Sequence, residues 1–363
     1  MAKDTGPVSL SNRPPPRALR APELPATTIC HPQWTRYDPA IMFRPVLNPW
    51  RLLCLLAVTA AAGVSSPALG QTIDAYIVVD SNTKKIFMAS NAGKKRPVAS
   101  LTKIASACVV LDWAERTGAD LGQRAVVPPT AAGLAPNPFN FAPGDSLSLR
   151  DLLSCAMMGS DNIAAETLAS HVGNDIVQRT GRGNSAYAAF VKQMNSLAGY
   201  LGMTGTKFLN PHGLDSGRAV PLSTAADMAR LTLYAQKKPA FSFYTSQRER
   251  RITVWRGGTQ RELFMLKNTN TSLGRTGIDG VKTGTTARAG QCLILSAPRK
   301  NIVVRRGPED TTIFPRRLVV VVLGSPNRFA DAEGLLAQGW ARYDQWHAGG
   351  RVINSSDELL DPP

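Results

Sequence analysis

Residues 97–111 read PVASLTKIASACVVL, a proline followed by an apolar stripe at helical spacing. The stripe consists of Leu101, Ile104, Cys108 and Leu111. This pattern predicts that Ser100 lies at the start of a helix, with Lys103 one turn later on the same face. A serine hydroxyl is a poor nucleophile without an adjacent base, and a lysine amine acts as a base only when it is neutral. Burial and a second nearby cation would both lower the pKa of Lys103.

A second polar motif, Ser160-Asp161-Asn162, falls between two helical patterns that no proline separates. The motif is therefore expected in a tight turn, from which short polar side chains can point into a cleft. In that position Ser160 is a candidate proton carrier for a departing amine. Asn162 is a candidate partner for a substrate amide and for the Lys103 amine.

A third motif, Lys282-Thr283-Gly284, precedes a strand-like run at residues 290–297 and is interpreted as an edge strand beside a site. Lys282 brings positive charge, and the hydroxyls of Thr283 and Thr285 can bind a substrate carboxylate. Gly284 leaves room for a substrate backbone to lie close to this strand.

Each motif alone has an ordinary structural reading, as a helix cap or as a solvated lysine beside a turn. Their order along the chain, and the helix, turn and strand in which they are expected, together favour one shared site. Two further matches lack this setting. Residues 81–84 (SNTK) lie in the polar turn of a predicted hairpin, and residues 325–327 (SPN) follow an apolar strand in the wrong order.

The three motifs together are typical of class A β-lactamases and penicillin-binding proteins. From Ile77 to about Tyr343 the chain resembles the low-molecular-mass D-alanyl-D-alanine carboxypeptidases, which form peptidase family S11 within the β-lactamase/transpeptidase-like superfamily. The segments beyond the three motifs that carry the resemblance are residues 208–214, 223–229, 268–270 and 279–284.

The resemblance implies a role for each motif residue. The residues assigned to catalysis are Ser100 as nucleophile, Lys103 as its base, and Ser160 and Asn162 as the second element. The residues assigned to substrate binding are Lys282, Thr283, Gly284 and Thr285. The backbone N–H groups of Ser100 and Thr285 would form the oxyanion hole. His212 is expected to pack in a structural turn, and Asp161 departs from the small residue that is frequent at its position in the family.

The implied activity is removal of the terminal D-Ala from peptidoglycan stem peptides through an acyl-enzyme. β-Lactams would acylate the same serine, and no metal ion or cofactor is required. A class A-like β-lactamase ranks second, because it needs a glutamate near the acyl group and Asp215 is the only carboxylate between Asn184 and Leu222. A D,D-endopeptidase and a non-catalytic cell-wall-binding protein are two more candidate functions, although intact Ser100 and Lys103 argue against the last.

The pattern of elements predicts an α+β fold of the β-lactamase/transpeptidase-like type. Strands are expected at residues 76–80, 85–89, 251–254, 262–266, 290–297 and 318–323, with helices from Ser100 to about Tyr234 and a last helix near residues 329–343. This order predicts an antiparallel sheet flanked by helices, with an inserted helical sub-domain and the active site in the cleft between them. Residues 301–315 are interpreted as an insertion that interrupts a hairpin, with Gly307-Pro308 as its turn.

The N-terminal region reads as two segments that precede the enzyme. Residues 1–41 are rich in proline and arginine, without periodicity, and are interpreted as a disordered extension or a mis-assigned start. Residues 42–70 have the basic start, apolar centre and small-residue end of a signal peptide cleaved near Gly70. A periplasmic or secreted protein is therefore expected. The alternative is a membrane anchor through the apolar run at residues 52–64.

Residues 71–345 then form the catalytic domain, and residues 346–363 form a short polar tail. The chain has a net charge of +16, but its basic residues are scattered and no nucleic-acid-binding motif is present. An anionic cell wall, with at most peripheral membrane contact, is the partner that this charge favours. Cys108, Cys155 and Cys292 lie in apolar stretches and are expected to be buried free thiols.

Overall fold

The computed structural model of the protein describes residues 72–360, apart from positions 216, 218, 308 and 309. The predictions for residues 1–41 and 42–70 lie outside the described residues. The α-helices of the described part are α1 Lys103–Thr117, α2 Leu149–Met157, α3 Asn162–Thr180, α4 Ala186–Tyr200, α5 Ala225–Gln236, α6 Pro239–Ser246 and α7 Arg328–Ala348. Its strands are β1 Ala75–Asp80, β2 Ile86–Ser90, β3 Arg124–Val126, β4 Ser146–Ser148, β5 Glu249–Arg256, β6 Gln260–Lys267, β7 Gly280–Thr286, β8 Gly290–Arg305 and β9 Thr311–Ser325.

The larger sheet has five antiparallel strands in the order β2-β1-β9-β8-β7. Its first hairpin joins the end of the chain, because β1 pairs with β9 and Ile77 lies opposite Val321. Strand β7, which carries Lys282-Thr283-Gly284, is at the edge. The predicted α+β class, the antiparallel sheet and the edge position of β7 are confirmed.

Both faces of this sheet are buried, which explains why β9 reads as a continuous apolar run. Val319 and Val321 face the core that surrounds α1, whereas Val320 and Val322 face the core formed with α7. Helix α7 buries Trp340 among other side chains on the second face. Each large apolar side chain buried in this way contributes about 1.5–3 kcal/mol.

Helix α1 lies inside the helical region and is buried nearly all round over its first half. A helix without a solvated face is held by packing on every side, so the residues at its start have little freedom to move. None of the helices in the described range is both long and apolar enough to cross a bilayer.

A second sheet of four strands, in the order β3-β4-β5-β6, belongs to the helical region. The sequence predicts β5 and β6 but not their separation into a sheet of their own. Strands β3 and β4 have three residues each. Such short strands show too little alternation to be recognised by pattern.

The prediction that residues 301–315 interrupt a hairpin is wrong. Strands β8 and β9 stay paired through this stretch, from Ile302 opposite Phe314 to Arg305 opposite Thr311, after a register shift that follows Arg299. Phe314 contacts the end of α7, where its ring lies 5.6 Å from that of His347. The stretch is therefore an extension of the hairpin whose charged residues hide the strand pattern. Gly307 lies in its turn, and Pro308 is outside the described residues.

The residues that follow α7 return to the five-stranded sheet. Leu360 is 3% exposed, and its backbone N–H donates to the carbonyl of Lys84. Its own carbonyl accepts a hydrogen bond from Arg230 at 2.7 Å. This segment therefore closes over the turn between β1 and β2.

Candidate active site

Ser100 lies in a short 3₁₀ helix, Ala99–Thr102, that leads directly into α1. The Lys103 side chain is fully buried, and its Nζ lies 2.9 Å from Ser100 Oγ, 2.7 Å from Asn162 Oδ1 and 2.8 Å from the His212 carbonyl oxygen. Asn162 Oδ1 and the carbonyl can only accept hydrogen bonds. A neutral amine would give them its two N–H groups and turn its lone pair to the serine hydroxyl. This geometry suits removal of a proton from Ser100.

Burial lowers the pKa of Lys103 to about 7, while the nearby Asp161 charge opposes part of this shift. A lysine at its ordinary pKa would be almost entirely protonated at neutral pH. The lowered pKa makes the neutral amine accessible near neutral pH, so Lys103 can accept a proton.

The Ser160 turn ends at α3 and places two side chains at different depths. Ser160 has a positive φ of 60° and is half-buried. Asp161 caps α3, where its Oδ1 accepts a 2.7 Å hydrogen bond from the Ala164 N–H. Its buried carboxyl has a pKa raised to about 6, mainly by desolvation. The departure from a small residue at position 161 therefore affects the helix cap and the charge near Lys103.

Asn162 is the first residue of α3 and is 3% exposed. Its Nδ2 donates a 2.6 Å hydrogen bond to the Ala135 carbonyl, while its Oδ1 accepts from Lys103. Hydrogen bonds at both the nitrogen and the oxygen fix the orientation of the Asn162 amide, which links the loop at Ala135 to Lys103.

His212 holds Lys103 through its backbone carbonyl, and its ring hydrogen-bonds to the backbone of the same turn. The ring Nδ1 accepts a 3.2 Å hydrogen bond from the Leu214 N–H. Burial, followed by the Lys103 charge, lowers the His212 pKa to about 3. The next residue, Gly213, has φ +85°, and a Cβ there would overlap the Ala99 carbonyl oxygen. The expectation that His212 packs in a turn agrees with this arrangement.

On the other side of the serine, β7 packs directly against the 3₁₀ helix. A Cβ built at Gly284 would lie 3.0 Å from the Val98 oxygen and 3.1 Å from the Ser100 nitrogen. A side chain at position 284 would therefore crowd the serine segment, which would have to shift by a few tenths of an ångström. This contact brings the Ser100 nitrogen beside Gly284, and the next residue on β7, Thr285, carries the second N–H expected in the oxyanion hole.

Lys282 is 1% exposed, and its Nζ donates to the Thr283 carbonyl at 3.0 Å. Burial, then the positive charges of Lys103 and Arg328, lower its pKa well below the ordinary value. The charged form of Lys282 is therefore less favourable than that of an ordinary lysine, and a bound anion would favour it.

Thr283 is linked to the Ser160 turn. Its Oγ1 lies 2.7 Å from Thr269 Oγ1, which in turn donates to the Met158 carbonyl at 3.1 Å. Because Thr269 uses its proton on that carbonyl, Thr283 donates to Thr269 in this arrangement. The Thr283 hydroxyl thus connects β7 with the Ser160 turn. Its proton is not available for a substrate carboxylate, so residues near Thr283 must supply the donors.

Arg328, the first residue of α7, is a further residue of the site that the sequence does not predict. Its Nη1 donates to Thr285 Oγ1 at 2.6 Å and to the Gly284 carbonyl at 3.1 Å. It adds a guanidinium, a good carboxylate partner, to a place where Lys282 is also present. No motif surrounds Arg328, and only the folding of the β8–β9 hairpin brings it here.

The structure brings Ser100, Lys103 and Asn162 into direct contact and places the β7 motif beside them. The rejected SNTK motif lies in the turn after β1, where the Thr83 hydroxyl bonds Asp80. Cys108, Cys155 and Cys292 are buried free thiols with raised pKa values, in agreement with the prediction. Over the described range, no group of three or more His, Cys, Asp or Glu residues is arranged to hold a metal ion.

A buried lysine amine hydrogen-bonded to a serine hydroxyl, next to an edge strand that carries a second lysine, is the arrangement expected of a serine peptidase of the penicillin-binding class. The family model for D-alanyl-D-alanine carboxypeptidase matches residues 62–306, more than half of the chain. The protein belongs to this peptidase family.

Two curated relatives and one solved structure illustrate the similarity. The chain is 30% identical over 288 residues to the D-alanyl-D-alanine endopeptidase of Escherichia coli, covering 77% of this chain and 81% of the relative. It is 30% identical over 306 residues to D-alanyl-D-alanine carboxypeptidase DacC of the same organism, covering 80% and 67%. The ampicillin-bound penicillin-binding protein D2 of Listeria monocytogenes has a TM-score of 0.58 and 28% identity, covering 74% of this chain and 97% of that one.

Proposed function

We propose that the protein is a serine-type D-Ala-D-Ala carboxypeptidase that trims peptidoglycan stem peptides and is acylated by β-lactams. The observation that carries this proposal is the buried Lys103 amine, with a pKa of about 7, held 2.9 Å from Ser100 Oγ by two fixed acceptors. The proposal includes a periplasmic or secreted location, which the signal-like pattern at residues 42–70 supports.

In the acylation step, Ser100 Oγ attacks the carbonyl of the penultimate D-Ala while Lys103 takes the hydroxyl proton. The oxygen of the tetrahedral intermediate gains negative charge and is stabilised by the N–H groups of Ser100 and Thr285. Losing one such donor typically costs about 10²–10³ in turnover. The position of Ser100 N beside Gly284 supports this assignment.

Collapse of the intermediate expels the terminal D-Ala. Its amine needs a proton, which Ser160 passes from Lys103, and the half-buried position of Ser160 in the turn leaves it accessible to substrate. Water then hydrolyses the ester and regenerates Ser100. The proton taken up by Lys103 thus leaves with the amine, and the site returns to its starting state.

The carboxylate of the departing residue is bound by Lys282 and Arg328, and by Thr285 once its hydroxyl turns away from the Gly284 carbonyl. An anion beside Lys282 would raise its depressed pKa again, so substrate binding favours the charged form of the lysine. Thr283 and Gly284 position the strand, the first through its contact with Thr269 and the second through the close approach to Ser100.

A D,D-endopeptidase that cuts cross-links is the second candidate, since the similar Escherichia coli protein is a D-alanyl-D-alanine endopeptidase. The carboxylate site does not separate the two activities, because a carboxylate can also lie next to the amine that leaves a cross-link. The two activities differ in whether the site has space for the rest of the residue that is attached to the leaving amine in a cross-link.

The two activities are distinguished by giving the enzyme a stem pentapeptide and a cross-linked dimer at equal concentration. We expect faster release of free D-Ala from the pentapeptide than cleavage of the dimer. A pentapeptide that ends in L-Ala is the matched control and should release nothing. Faster cleavage of the dimer would assign the endopeptidase activity, and no cleavage of either substrate would reject both. Rapid turnover of penicillin would favour a β-lactamase.

The acylation rate should depend on pH through Lys103. The amine must be neutral to accept the proton, and its neutral fraction rises with pH through a pKa of about 7. We therefore expect the second-order rate constant for acylation by a penicillin to rise about tenfold per unit below that pKa and to level off above it. A profile that is flat across neutral pH would contradict the assignment of Lys103 as base.

A further inference from the structure

The second sheet, β3-β4-β5-β6, has one face on the core and one face toward solvent. Residues directly opposite each other on paired strands share a face, and neighbours along a strand alternate between faces. Ile252, Val254 and Leu266 lie on the inner face and are buried. The residues that alternate with them form the opposite side of the sheet, called the outer face below.

Large apolar side chains lie next to one another on the outer face. Val126, Leu263 and Met265 are 51–59% exposed. Leu263 and Met265 are two residues apart on β6, and Trp255 lies on the same face of the β5–β6 hairpin. Val126 and Trp255 are both paired with Ser146, so they lie on either side of it. Single exposed apolar side chains are ordinary on a protein surface, but a group of neighbours indicates a surface that binds a partner.

The outer face is also positively charged. Its cations are Arg124, Arg251, Arg261 and Lys267. Arg251 and Arg261 form no ion pair with any described residue, and the Arg124 guanidinium lies 4.8 Å from the centre of the Trp255 ring. Within these four strands, Glu249 is the one carboxylate on this face, 4.0 Å from Lys267. The cations are therefore available to an anionic partner.

Apolar and cationic groups on one face restrict the kind of partner. A second copy of the chain would bring two cationic faces together, because a two-fold interface uses the same surface twice. A wholly polar polyanion would pair with the cations but leave Leu263 and Met265 in water. A bilayer with anionic lipids satisfies both, since its phosphates attract arginine and lysine and its interfacial region accepts apolar side chains and the Trp255 ring.

We propose that the outer face of the second sheet docks the protein on a membrane surface that contains anionic phospholipid. This inference goes beyond the proposed function and does not depend on catalysis. Strand β6 ends at Lys267, two residues before Thr269, whose hydroxyl contacts Thr283 beside the catalytic serine. Docking through this face therefore holds the active-site cleft close to the membrane.

The test measures binding of the full chain to two kinds of sedimented vesicle, phosphatidylcholine alone and phosphatidylcholine mixed with an equal amount of phosphatidylglycerol. Every variant keeps residues 1–70, so a difference between variants comes from the substituted surface. We expect the unmodified protein to bind the anionic vesicles about tenfold more tightly than the neutral ones. Added salt should reduce this difference, because it screens exposed charges.

Two double variants separate the apolar and charged contributions. Leu263→Ser with Met265→Ser should weaken binding to the anionic vesicles about tenfold, because less apolar surface leaves water on docking. Arg251→Gln with Arg261→Gln should weaken it about as much and leave binding to neutral vesicles unchanged. Both variants alter exposed side chains only, and thermal unfolding checks that they are folded.

The chain offers a matched control in the β8–β9 hairpin. Val303 and Ile313 lie opposite each other and are 51% and 56% exposed, with Arg305 two residues further along β8. Val303→Ser with Ile313→Ser removes a similar amount of exposed apolar surface near a cation and should bind vesicles like the unmodified protein. Hydrogen exchange should show the same location, with vesicles slowing exchange in residues 260–267 and not in residues 301–315.

Full binding by both outer-face variants would overturn the proposal, as would loss of binding in the hairpin control alone. Equal binding of the unmodified protein to neutral and anionic vesicles would overturn the role given to the cations. If vesicles do not bind and Leu263→Ser with Met265→Ser dissociates a dimer in sedimentation experiments, the face belongs to a second copy instead. Labelling by a fluorescent penicillin tests the peptidase proposal separately, so the two proposals fail by different results.

Discussion

Ser100→Ala is expected to abolish covalent labelling by a fluorescent penicillin and to lower D-Ala release by about 10⁴-fold or more. The Ser100 Oγ is the atom that Lys103 Nζ contacts at 2.9 Å, and no alanine atom can form the ester. The variant removes a single half-buried oxygen, so it should fold normally. Labelling on a denaturing gel, together with release of D-Ala from a pentapeptide, measures both effects.

The chain offers a matched control in Ser81→Ala. Ser81 begins the other Ser-x-x-Lys sequence, but it lies in the turn after β1, where no helix fixes the distance between serine and lysine. This variant should be labelled as strongly as the unmodified protein. Equal labelling of Ser100→Ala, or loss of labelling in Ser81→Ala alone, would contradict the assignment of the nucleophile.

Lys103→Arg should lower the rate constant for acylation by about 10³–10⁴. Arginine keeps the positive charge but stays protonated at every accessible pH, so it cannot take the serine proton. Burial leaves the Lys103 amine with a pKa of about 7, a value that a guanidinium cannot reach. Stopped-flow acylation by a penicillin measures the loss, and the pH dependence near neutrality should disappear with it.

Because the Lys103 side chain has no exposed surface, the larger guanidinium can also disturb folding, and that effect has to be separated from the chemical one. Lys103→Met, which is similar in volume and uncharged, separates the two causes and should lose acylation as well. Lys84→Arg, in the rejected motif, is the control and should acylate normally. Substantial acylation by a folded Lys103→Met variant would show that another group accepts the proton.

Local sequence was sufficient to predict the elements whose chemistry is concentrated in a few adjacent residues. Ser100 and Lys103 are one helical turn apart, so their contact follows from helix geometry alone. The edge position of Lys282-Thr283-Gly284 and the early hairpin were equally accessible, because short apolar runs and polar turns mark strands well. Sequence order then favoured bringing the three motifs together.

Other parts of the site depend on distant contacts that leave no local signal. Arg328 reaches Thr285 only because β8 and β9 form a long hairpin between them, and the sequence around Arg328 resembles an ordinary helix start.

In the extended β8–β9 hairpin, by contrast, the local sequence pattern is misleading, because it indicates a loop where the strands are paired. Alternate residues of this stretch, Ile302 and Phe314 among them, face the end of α7, but arginines and polar residues lie between them. These charged and polar residues suggest a loop in the sequence, although a two-stranded hairpin with one solvated face can carry them.

The pairing of β1 with β9 affects how the protein can fold while it is being synthesised. Strand β1 is synthesised early, but one of its two neighbours in the sheet is β9, the last strand. Until β9 has been synthesised, one edge of β1 has unpaired backbone N–H and C=O groups that can pair with another chain. Whether it emerges from a ribosome or through a translocation pore, the nascent chain must be shielded from self-association until its last strand arrives.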